Sequence, residues 1–273
     1  MKKFLYLLSI ILSAFFYACD DLDQLEDRYI PMPHVDVKRK VLLEEFTGQR
    51  CVNCPTAHLV VNDLKQQYGE SVIAVGIHAT SAFGLSETMN TMGLMNAEGD
   101  AYAAYWNAVT LPTGMINRTS GLLDYDKWAA YVRTELEKEP KLKVHLTAKM
   151  DTLTEGVDSL INITVDYEPI ANIDGKIQIW ITENEITAPQ MSGSSYILDY
   201  QHNHVFRAHV NGTWGTDVYL LANILANQCF THKIKKHWNR KNLRVVAFVY
   251  NETEGVLQVE ECPISFSHNI ENN

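Results

Sequence analysis

Beyond its first 18 residues, the sequence lacks an apolar run of roughly eighteen residues, the minimum length for a membrane-spanning helix. Positive charge is also scarce, because 23 Lys and Arg stand against 33 Asp and Glu, for a formal net charge of -10. This balance argues against a nucleic acid as partner. Only 5 of the 273 residues are cysteine, yet two of the five stand close together in RCVNCPT.

The N-terminus predicts export and a lipid anchor. Two lysines precede the apolar run FLYLLSIILSAFFYA, which is too short for a spanning helix and is typical of a signal peptide over residues 1–18. Ala18 is the small residue that a lipoprotein signal peptidase requires, so we expect Cys19 to become the lipidated first residue. The alternative is an ordinary cleaved signal with an incidental cysteine. Residues 19–39 are acidic and predict a tether.

The closely spaced cysteines lie between a predicted strand and a predicted helix. KVLLEEFTG, residues 40–48, fits a strand buried on both faces. PTAHLVVNDLKQQYG, residues 55–69, has helical spacing, and SVIAVGIHA, residues 71–79, fits a second buried strand. Cys51 and Cys54 therefore lie within a predicted βαβ unit, the context in which CxxC indicates a redox motif.

The order of the following elements, with LPTG at residues 111–114, resembles the thioredoxin fold and its X-Pro-Thr loop. The resemblance implies that Pro112 is cis and faces the cysteine pair. It also implies a buried acid on the strand six residues before the first cysteine, which is Glu45 here. Because a strand alternates faces, we expect Glu45 to point inward beneath the cysteines and Glu44 to lie on the other face. The alternative is that both glutamates are solvated.

The chemistry of disulfide exchange assigns a role to each of these residues. A helix N-terminus and a neighbouring cation favour the nucleophilic thiolate, and we expect Cys51, which follows Arg50, to have both because the helix begins with it. Cys51 is then the attacking thiol and Cys54 resolves the mixed disulfide. Glu45 relays a proton, and Pro112 shapes the substrate groove.

Two other interpretations of the pair stay open. An exported chain can carry a static disulfide between Cys51 and Cys54, although such a small ring confers little loop-closure stabilisation. Alternatively, His58 and His78 could complete a metal site with the two cysteines. Since a lone histidine is more often a satisfied or exposed side chain, we expect neither a metal nor another cofactor.

The second half of the chain changes to strict alternation. KLKVHLTAK, SLINITVDY, KIQIWITEN, LRVVAFVYN and GVLQVEECPISF alternate apolar and polar residues between turns, as in an antiparallel sandwich. We therefore predict an α/β thioredoxin-like domain over residues 40–140, followed by a mainly antiparallel β-sandwich domain over residues 141–273. Cys229 and Cys262 could pair in an oxidising compartment, provided that their Cα atoms lie close enough.

The combination of Cys19, EEFTGQRCVNCP, LPTGMINR and HNHVFRAHVNGTWG resembles the Bacteroidetes lipoprotein family named after outer membrane protein 28. The resemblance covers nearly the whole mature chain. It implies a thioredoxin-like domain followed by a β-rich domain on an outer membrane lipoprotein, at the periplasmic face or the cell surface. Adhesion has been proposed for some members of that family.

Two classes of function follow from the sequence. The first is thiol-disulfide exchange with envelope or surface proteins, on a protein that a lipid anchor holds to the membrane. The second is a non-enzymatic surface adhesin or binding lipoprotein with a structural disulfide. Because a fold does not fix a function, the reactivity of the cysteine pair has to distinguish them.

Overall fold

The periodic segments of the sequence form the elements that the pattern predicts. A computed structural model describes residues 38–87, 92–150 and 159–266. The predicted signal peptide, Cys19 and nearly all of the predicted tether lie outside these residues. Within the described residues, no helix is both long enough and apolar enough to cross a membrane.

The bounds of the helices and strands are as follows. The helices are α1 (Cys54–Tyr68), α2 (Ala97–Trp106) and α3 (Trp128–Leu136). The strands are β1 (Val41–Thr47), β2 (Val72–His78), β3 (Thr113–Ile116), β4 (Leu142–Met150), β5 (Ser159–Pro169), β6 (Ile173–Glu183), β7 (Ile186–Thr187), β8 (Gln190–Ser192), β9 (Ser195–Ile197), β10 (Gln201–His202), β11 (Val205–His209), β12 (Thr216–Leu220), β13 (Ala226–Ile234), β14 (Leu243–Asn251), β15 (Gly255–Pro263) and β16 (Ser265–Phe266).

The largest sheet combines strands from both halves of the sequence. Its strand order is β15-β14-β6-β11-β2-β1-β3, and β12 also pairs with β6. β1 runs parallel to β2 and antiparallel to β3, while β11 joins β2 in parallel. Strands from both sides of Pro140 thus share one sheet, and the division into two domains near that residue stays a prediction.

Strands β1 and β2 are buried on both faces because helices cover both sides of this part of the sheet. Val41 and Leu43 share a core cluster with residues of α1 and α3. Leu42 and Phe46 point the other way, into a cluster that includes Tyr102 of α2. Every residue of β1 is buried. The predicted βαβ unit is confirmed, because α1 connects β1 to β2 and the two strands pair in parallel.

A second sheet packs on the far part of the first. Its order is β13-β5-β4-β16, and β4 and β5 alternate buried and more exposed residues as predicted. Their inward side chains, such as Leu146 and Val165, share one core cluster with Ile179 of β6 and Val245 of β14. The second half is therefore β-rich and contains two sheets packed face to face.

The connection between β6 and β11 positions the candidate site. Residues 184–204 leave the large sheet and form two short antiparallel pairs, β7 with β10 and β8 with β9. The chain then returns as β11 into the middle of the sheet, between β6 and β2. VFRAH lacks the alternation that marks the longer strands, and four of its five residues are buried, so the sequence pattern does not predict this strand.

Candidate functional site

Cys51 and Cys54 form a disulfide just after β1, with their Cα atoms 5.4 Å apart. Helix α1 begins at Cys54 and not at Cys51, and Pro55 occupies its first turn. Cys51 lies in the preceding turn, where its amide donates a hydrogen bond to the carbonyl oxygen of Gly48. Only 2% of Cys51 and 0% of Cys54 is exposed. The pair thus lies at a helix N-terminus but is closed to solvent in this conformation.

Gln49 holds the loop that carries Cys51. Its side chain is fully buried and donates to the carbonyl oxygens of Met92 and Pro189 at 2.9 and 3.0 Å. Its side-chain oxygen, Oε1, accepts a hydrogen bond of 2.9 Å from the backbone amide of Leu94. This one amide group therefore ties the cysteine loop to two segments that are distant in sequence.

Strand β8 lies directly against the cysteine loop. The side-chain amide of Gln190 donates to the carbonyl oxygens of Cys51 and Gly48 at 3.0 and 3.3 Å. The backbone amide of Met191 donates to the carbonyl oxygen of Gln49 at 2.7 Å. The β8–β9 pair is thus fastened to the loop that carries Cys51.

Pro112 lies at the same end of the sheet as the cysteine loop. The Leu111–Pro112 peptide bond is cis, as the resemblance to thioredoxin implies. β3 begins next to it, and Thr113 of β3 pairs with Phe46 near the end of β1. The register therefore brings Pro112 beside the point where the cysteine loop leaves the sheet.

Glu45 points toward α1, into a narrow cavity of about 40 Å³, which is room for a few water molecules. Its Oε1 lies 3.4 Å from Nε2 of His58, one helical turn beyond Cys54. The same Nε2 is 3.0 Å from Oγ1 of Thr47, and Nδ1 of His58 is 2.7 Å from the hydroxyl of Tyr200. A line of polar contacts thus runs from buried Glu45 through His58 to Tyr200, which is partly exposed.

Burial sets the protonation states along this line. It raises the pKa of Glu45 from its ordinary 4.5 to about 8, and it lowers the pKa of His58 to about 3, helped by His202. Burial also raises the pKa of Tyr200 to about 12. At neutral pH the contact between Glu45 and His58 therefore joins two uncharged groups, and Glu45 holds a proton beneath the helix that carries Cys54.

Three further histidines, His78, His202 and His204, line the same cavity. The rings of His78 and His202 are 5.2 Å apart, and burial lowers the pKa of both, to about 4 for His202. In the described part of the chain, no group of three or more His, Cys, Asp or Glu side chains could hold a metal ion. The alternative metal site built from His58, His78 and the cysteines therefore finds no support, since the two cysteines are also bonded to each other.

Glu44 lies on the opposite face of β1, and that face is buried too. Its carboxylate accepts hydrogen bonds from Nε and Nη2 of Arg118 at 2.7 and 3.0 Å, and both side chains are at most 3% exposed. The guanidinium also lies 4.8 and 4.7 Å from the ring centroids of Phe248 and Tyr250. Glu44 is therefore half of a buried ion pair, which the alternation of β1 alone does not predict.

The pairing of Cys229 with Cys262 does not occur in this structure, in which both are free thiols. Cys229 is exposed in β13, at the edge of the smaller sheet, whereas half-buried Cys262 lies in β15, at the edge of the larger one. The two thiols thus belong to different sheets.

Several residues of the site escape prediction from the sequence. Gln49, Gln190, Tyr200 and His202 contact the cysteine loop or the cavity. Three of them come from the β6–β11 connection, more than 130 residues after the cysteines. Gln49 lies only two residues before Cys51, but a glutamine in a loop is normally exposed, so nothing in the sequence predicts its burial.

Residues 99–267, more than half of the chain, match the family model described as Outer membrane protein Omp28. The chain belongs to the Omp28 family. Like the rest of this family of outer membrane proteins, it is located at the outer membrane. The Omp28 match begins after the cysteine pair and Glu45, and it includes Pro112. No curated protein matches the sequence.

Solved structures resemble this Omp28 family member over much of its length. HBP35 of Porphyromonas gingivalis is 14% identical, with a TM-score of 0.63 over 86% of this chain and 79% of that protein. A protein of Agrobacterium tumefaciens is also 14% identical, with a TM-score of 0.50 over 88% of this chain and 100% of that one. A domain of the outer membrane lipoprotein Omp28 from P. gingivalis is 21% identical, with a TM-score of 0.35 over 48% and 93%. HBP35 and the Agrobacterium protein therefore share a fold with this chain.

Proposed function

We propose that the protein is an outer membrane lipoprotein whose Cys51–Cys54 pair exchanges disulfides with envelope or surface proteins. The observation that carries the proposal is the disulfide at the N-terminus of α1, above a buried Glu45 that retains its proton at neutral pH. A dithiol needs a nearby group that accepts and returns protons while its redox state changes. Glu45, which touches His58 one turn beyond Cys54, is placed for that purpose.

The order of the elements supports a thioredoxin-like assignment for this part of the chain. β1, α1 and β2 form a parallel βαβ unit, and β3 adds antiparallel to β1. α1 and α3 cover one face of these strands, and α2 covers the other. The cis bond before Pro112 lies at the edge from which the cysteine loop emerges. A partner's extended segment could lie along that edge.

The exchange balances without a further cofactor. A thiolate of the partner attacks Sγ of Cys51, the Cys51–Cys54 bond breaks, and Cys54 leaves as a thiolate that takes the proton of Glu45. The partner's second thiol then loses its proton to Glu45 and attacks the mixed disulfide, and Cys51 is released. The partner is oxidised by two electrons and the cysteine pair is reduced. In the reverse direction Cys51 attacks a partner disulfide and Cys54 resolves it.

Burial of the cysteines favours a second candidate, a binding lipoprotein in which the disulfide is structural. In the described conformation Cys51 is only 2% exposed, so a partner thiolate reaches it only after the surrounding chain moves. The reduction potential separates the candidates: exchange-active pairs fall between about -270 and -120 mV, whereas structural disulfides lie below about -300 mV. Equilibration of the full mature chain with glutathione buffers gives this value.

The reduced protein should show unequal thiols. We expect Cys51 to be alkylated faster and with a lower pKa than Cys54, because it lies in the turn just before the N-terminus of α1 and directly follows Arg50. We expect Cys54→Ser to accumulate mixed disulfides with envelope proteins. Pulsed alkylation across pH, read by mass spectrometry, measures the first effect, and exposed Cys229 serves as an internal reference.

Equal reactivity of Cys51 and Cys54 at every pH would exclude exchange as the function. Cys51→Ser is the matched control for trapping, since Cys54 alone should not capture partners. If both single variants trap the same amount of protein, the observed adducts are nonspecific oxidation products.

Cys19 is proposed as the lipid anchor. We expect Cys19→Ser to move the protein from the membrane fraction to the soluble fraction, because the mature chain would then carry no acyl chains to insert into the membrane. Fractionation and metabolic labelling with a fatty-acid analogue measure the change, and Cys229→Ser is the control. Continued membrane retention without label would reveal a second means of attachment.

A further inference from the structure

A groove distinct from the disulfide site lies between the end of α2, the loop before β12 and the turn between β14 and β15. Its volume is about 620 Å³, which is within the range of small-molecule sites. Aromatic rings form its wall, among them Tyr105, Trp106 and Trp214. Tyr105 is 65% exposed, and its ring centroid is 4.2 Å from that of Trp214. A contiguous exposed aromatic surface of this kind is typical of a ligand-binding groove.

The loop that presents Trp214 is held rigidly. The hydroxyl of Tyr250 donates to the carbonyl oxygen of Trp214 at 2.7 Å, and the hydroxyl of Tyr102 donates to that of Thr213 at 2.5 Å. Gly215 has φ +72°, and an added Cβ would lie 2.1 Å from the carbonyl oxygen of Ile177, so only glycine permits this turn. The aromatic wall is therefore preorganised, which reduces the entropy that a ligand must overcome.

Two residues that line the groove carry buried donors without an acceptor. Arg118 gives Nε and Nη2 to Glu44 and faces the Tyr250 ring, while its Nη1 meets no acceptor of good geometry in the described part of the chain. Nε1 of Trp106 is buried without a partner as well. Since unpaired buried donors are unfavourable, a ligand oxygen that reaches them gains affinity.

The rim carries both signs of charge. The carboxylates of Asp174 and Glu252 form no ion pair within the described residues, whereas Lys176 is paired with Asp217. Because Glu44 neutralises Arg118, the groove as a whole is negative and disfavours an anion. A purely cationic ligand would leave the unpaired donors of Arg118 and Trp106 unsatisfied.

We propose that this groove binds a neutral oligosaccharide. A sugar hydroxyl both donates and accepts, so it can pair with the rim carboxylates and with the N–H groups of Arg118 and Trp106 at once. The apolar C–H face of a pyranose ring can stack on Trp214 and Tyr105. This inference does not depend on disulfide exchange at Cys51.

The test uses the full mature chain and a panel of neutral oligosaccharides: maltoheptaose, cellohexaose, xylohexaose, mannohexaose and chitohexaose. A hexamer of galacturonic acid and hexalysine provide an anionic and a cationic comparison. Isothermal titration gives each Kd, and tryptophan fluorescence reports contact with the groove. We expect at least one neutral oligosaccharide to bind, and neither charged probe to bind as tightly.

The variants separate binding from folding. We expect Trp214→Ala and Tyr105→Ala to weaken binding about tenfold or more, as for other aromatic anchors. Trp106→Phe keeps a ring but removes the unpartnered N–H, and should weaken binding about three- to tenfold. Tyr131→Ala, an exposed aromatic position on α3, should change nothing. Thermal unfolding confirms that each variant is folded.

The proposal is overturned if no neutral oligosaccharide binds. It is equally overturned if binding survives in both Trp214→Ala and Tyr105→Ala, or if only the galacturonic acid hexamer or hexalysine binds. Binding that survives in both variants would show that the groove is not the binding site. Binding of only a charged probe would show that the groove recognises charge and not neutral hydroxyl groups.

Discussion

Glu44→Gln should lower the free energy of unfolding by about 3–5 kcal/mol, the usual cost of removing one partner from a buried ion pair. The guanidinium of Arg118 would keep its charge among aromatic rings, with a neutral amide in place of the carboxylate. Urea unfolding at pH 7 measures the loss. Glu254→Gln, the same substitution in a half-exposed pair with Lys141, is the matched control and should cost no more than about 1 kcal/mol.

A double substitution tests the cause of this loss. Glu44→Leu combined with Arg118→Met removes both charges, and should recover much of the stability that Glu44→Gln alone removes. If the double variant is less stable than Glu44→Gln, packing of the side chains and not charge pairing dominates at this position. A loss below about 1 kcal/mol for Glu44→Gln would show that water reaches the pair.

Glu45→Gln should have the opposite effect on stability, and the effect should grow as the pH rises above about 4.5. The carboxyl ionises near 4.5 in the unfolded chain but near 8 when folded. The folded state therefore binds the extra proton between these values, and this contribution to stability is lost as the pH rises from about 4.5 to about 8. Gln mimics the protonated carboxyl. We expect the variant to match the wild type at pH 4 and to exceed it by roughly 2–4 kcal/mol at pH 7.5.

The difference between the two proteins isolates Glu45, because the other groups that line the cavity are present in both and contribute equally to each. His58, His202 and His204 have pKa values of about 3 to 4, and Tyr200 is at about 12, all because of burial. Urea midpoints from pH 4 to 8.5 measure the difference between the two proteins. A constant difference across this range would mean that Glu45 ionises as an exposed carboxyl does.

Glu45→Gln should also slow disulfide exchange near neutral pH by about ten- to a hundredfold, since the proton acceptor is lost. Insulin reduction rates, compared with those of Glu254→Gln, measure this effect. A faster or unchanged rate would show that the Glu45 carboxyl takes no part in disulfide exchange, even if the stability prediction holds.

The βαβ unit and the long alternating strands could be predicted from the sequence because their apolar periods are local. Cys51, Cys54 and Glu45 follow from the same unit, since strand alternation and the CxxC spacing relate residues within ten positions of one another. The contact of Glu45 with His58 also lies within this short segment. Local sequence patterns therefore predict the residues of the site that lie between β1 and α1.

The rest of the site depends on contacts between distant parts of the chain. Arg118 reaches Glu44 over 74 residues, and Gln190 reaches Cys51 over 139. Neither residue belongs to a periodic pattern, so no local rule distinguishes it from a solvated side chain. β11 is hidden for a similar reason: it is short and nearly all buried, and its neighbours in the sheet come from both halves of the sequence.

From the position of β11 we expect the large sheet to be completed late in folding. β2 pairs with β11 more than 120 residues later, and Arg39 donates to the carbonyl oxygens of Val256 and Leu257, over 217 and 218 residues. Contacts of such high sequence separation form late and slow the folding rate. Until β11 arrives, the outer edge of β2 is an open strand edge that a second chain could occupy. The cysteine site is therefore completed only near the end of folding, and a fragment that stops before β11 would carry the CxxC motif on an unfinished, aggregation-prone sheet.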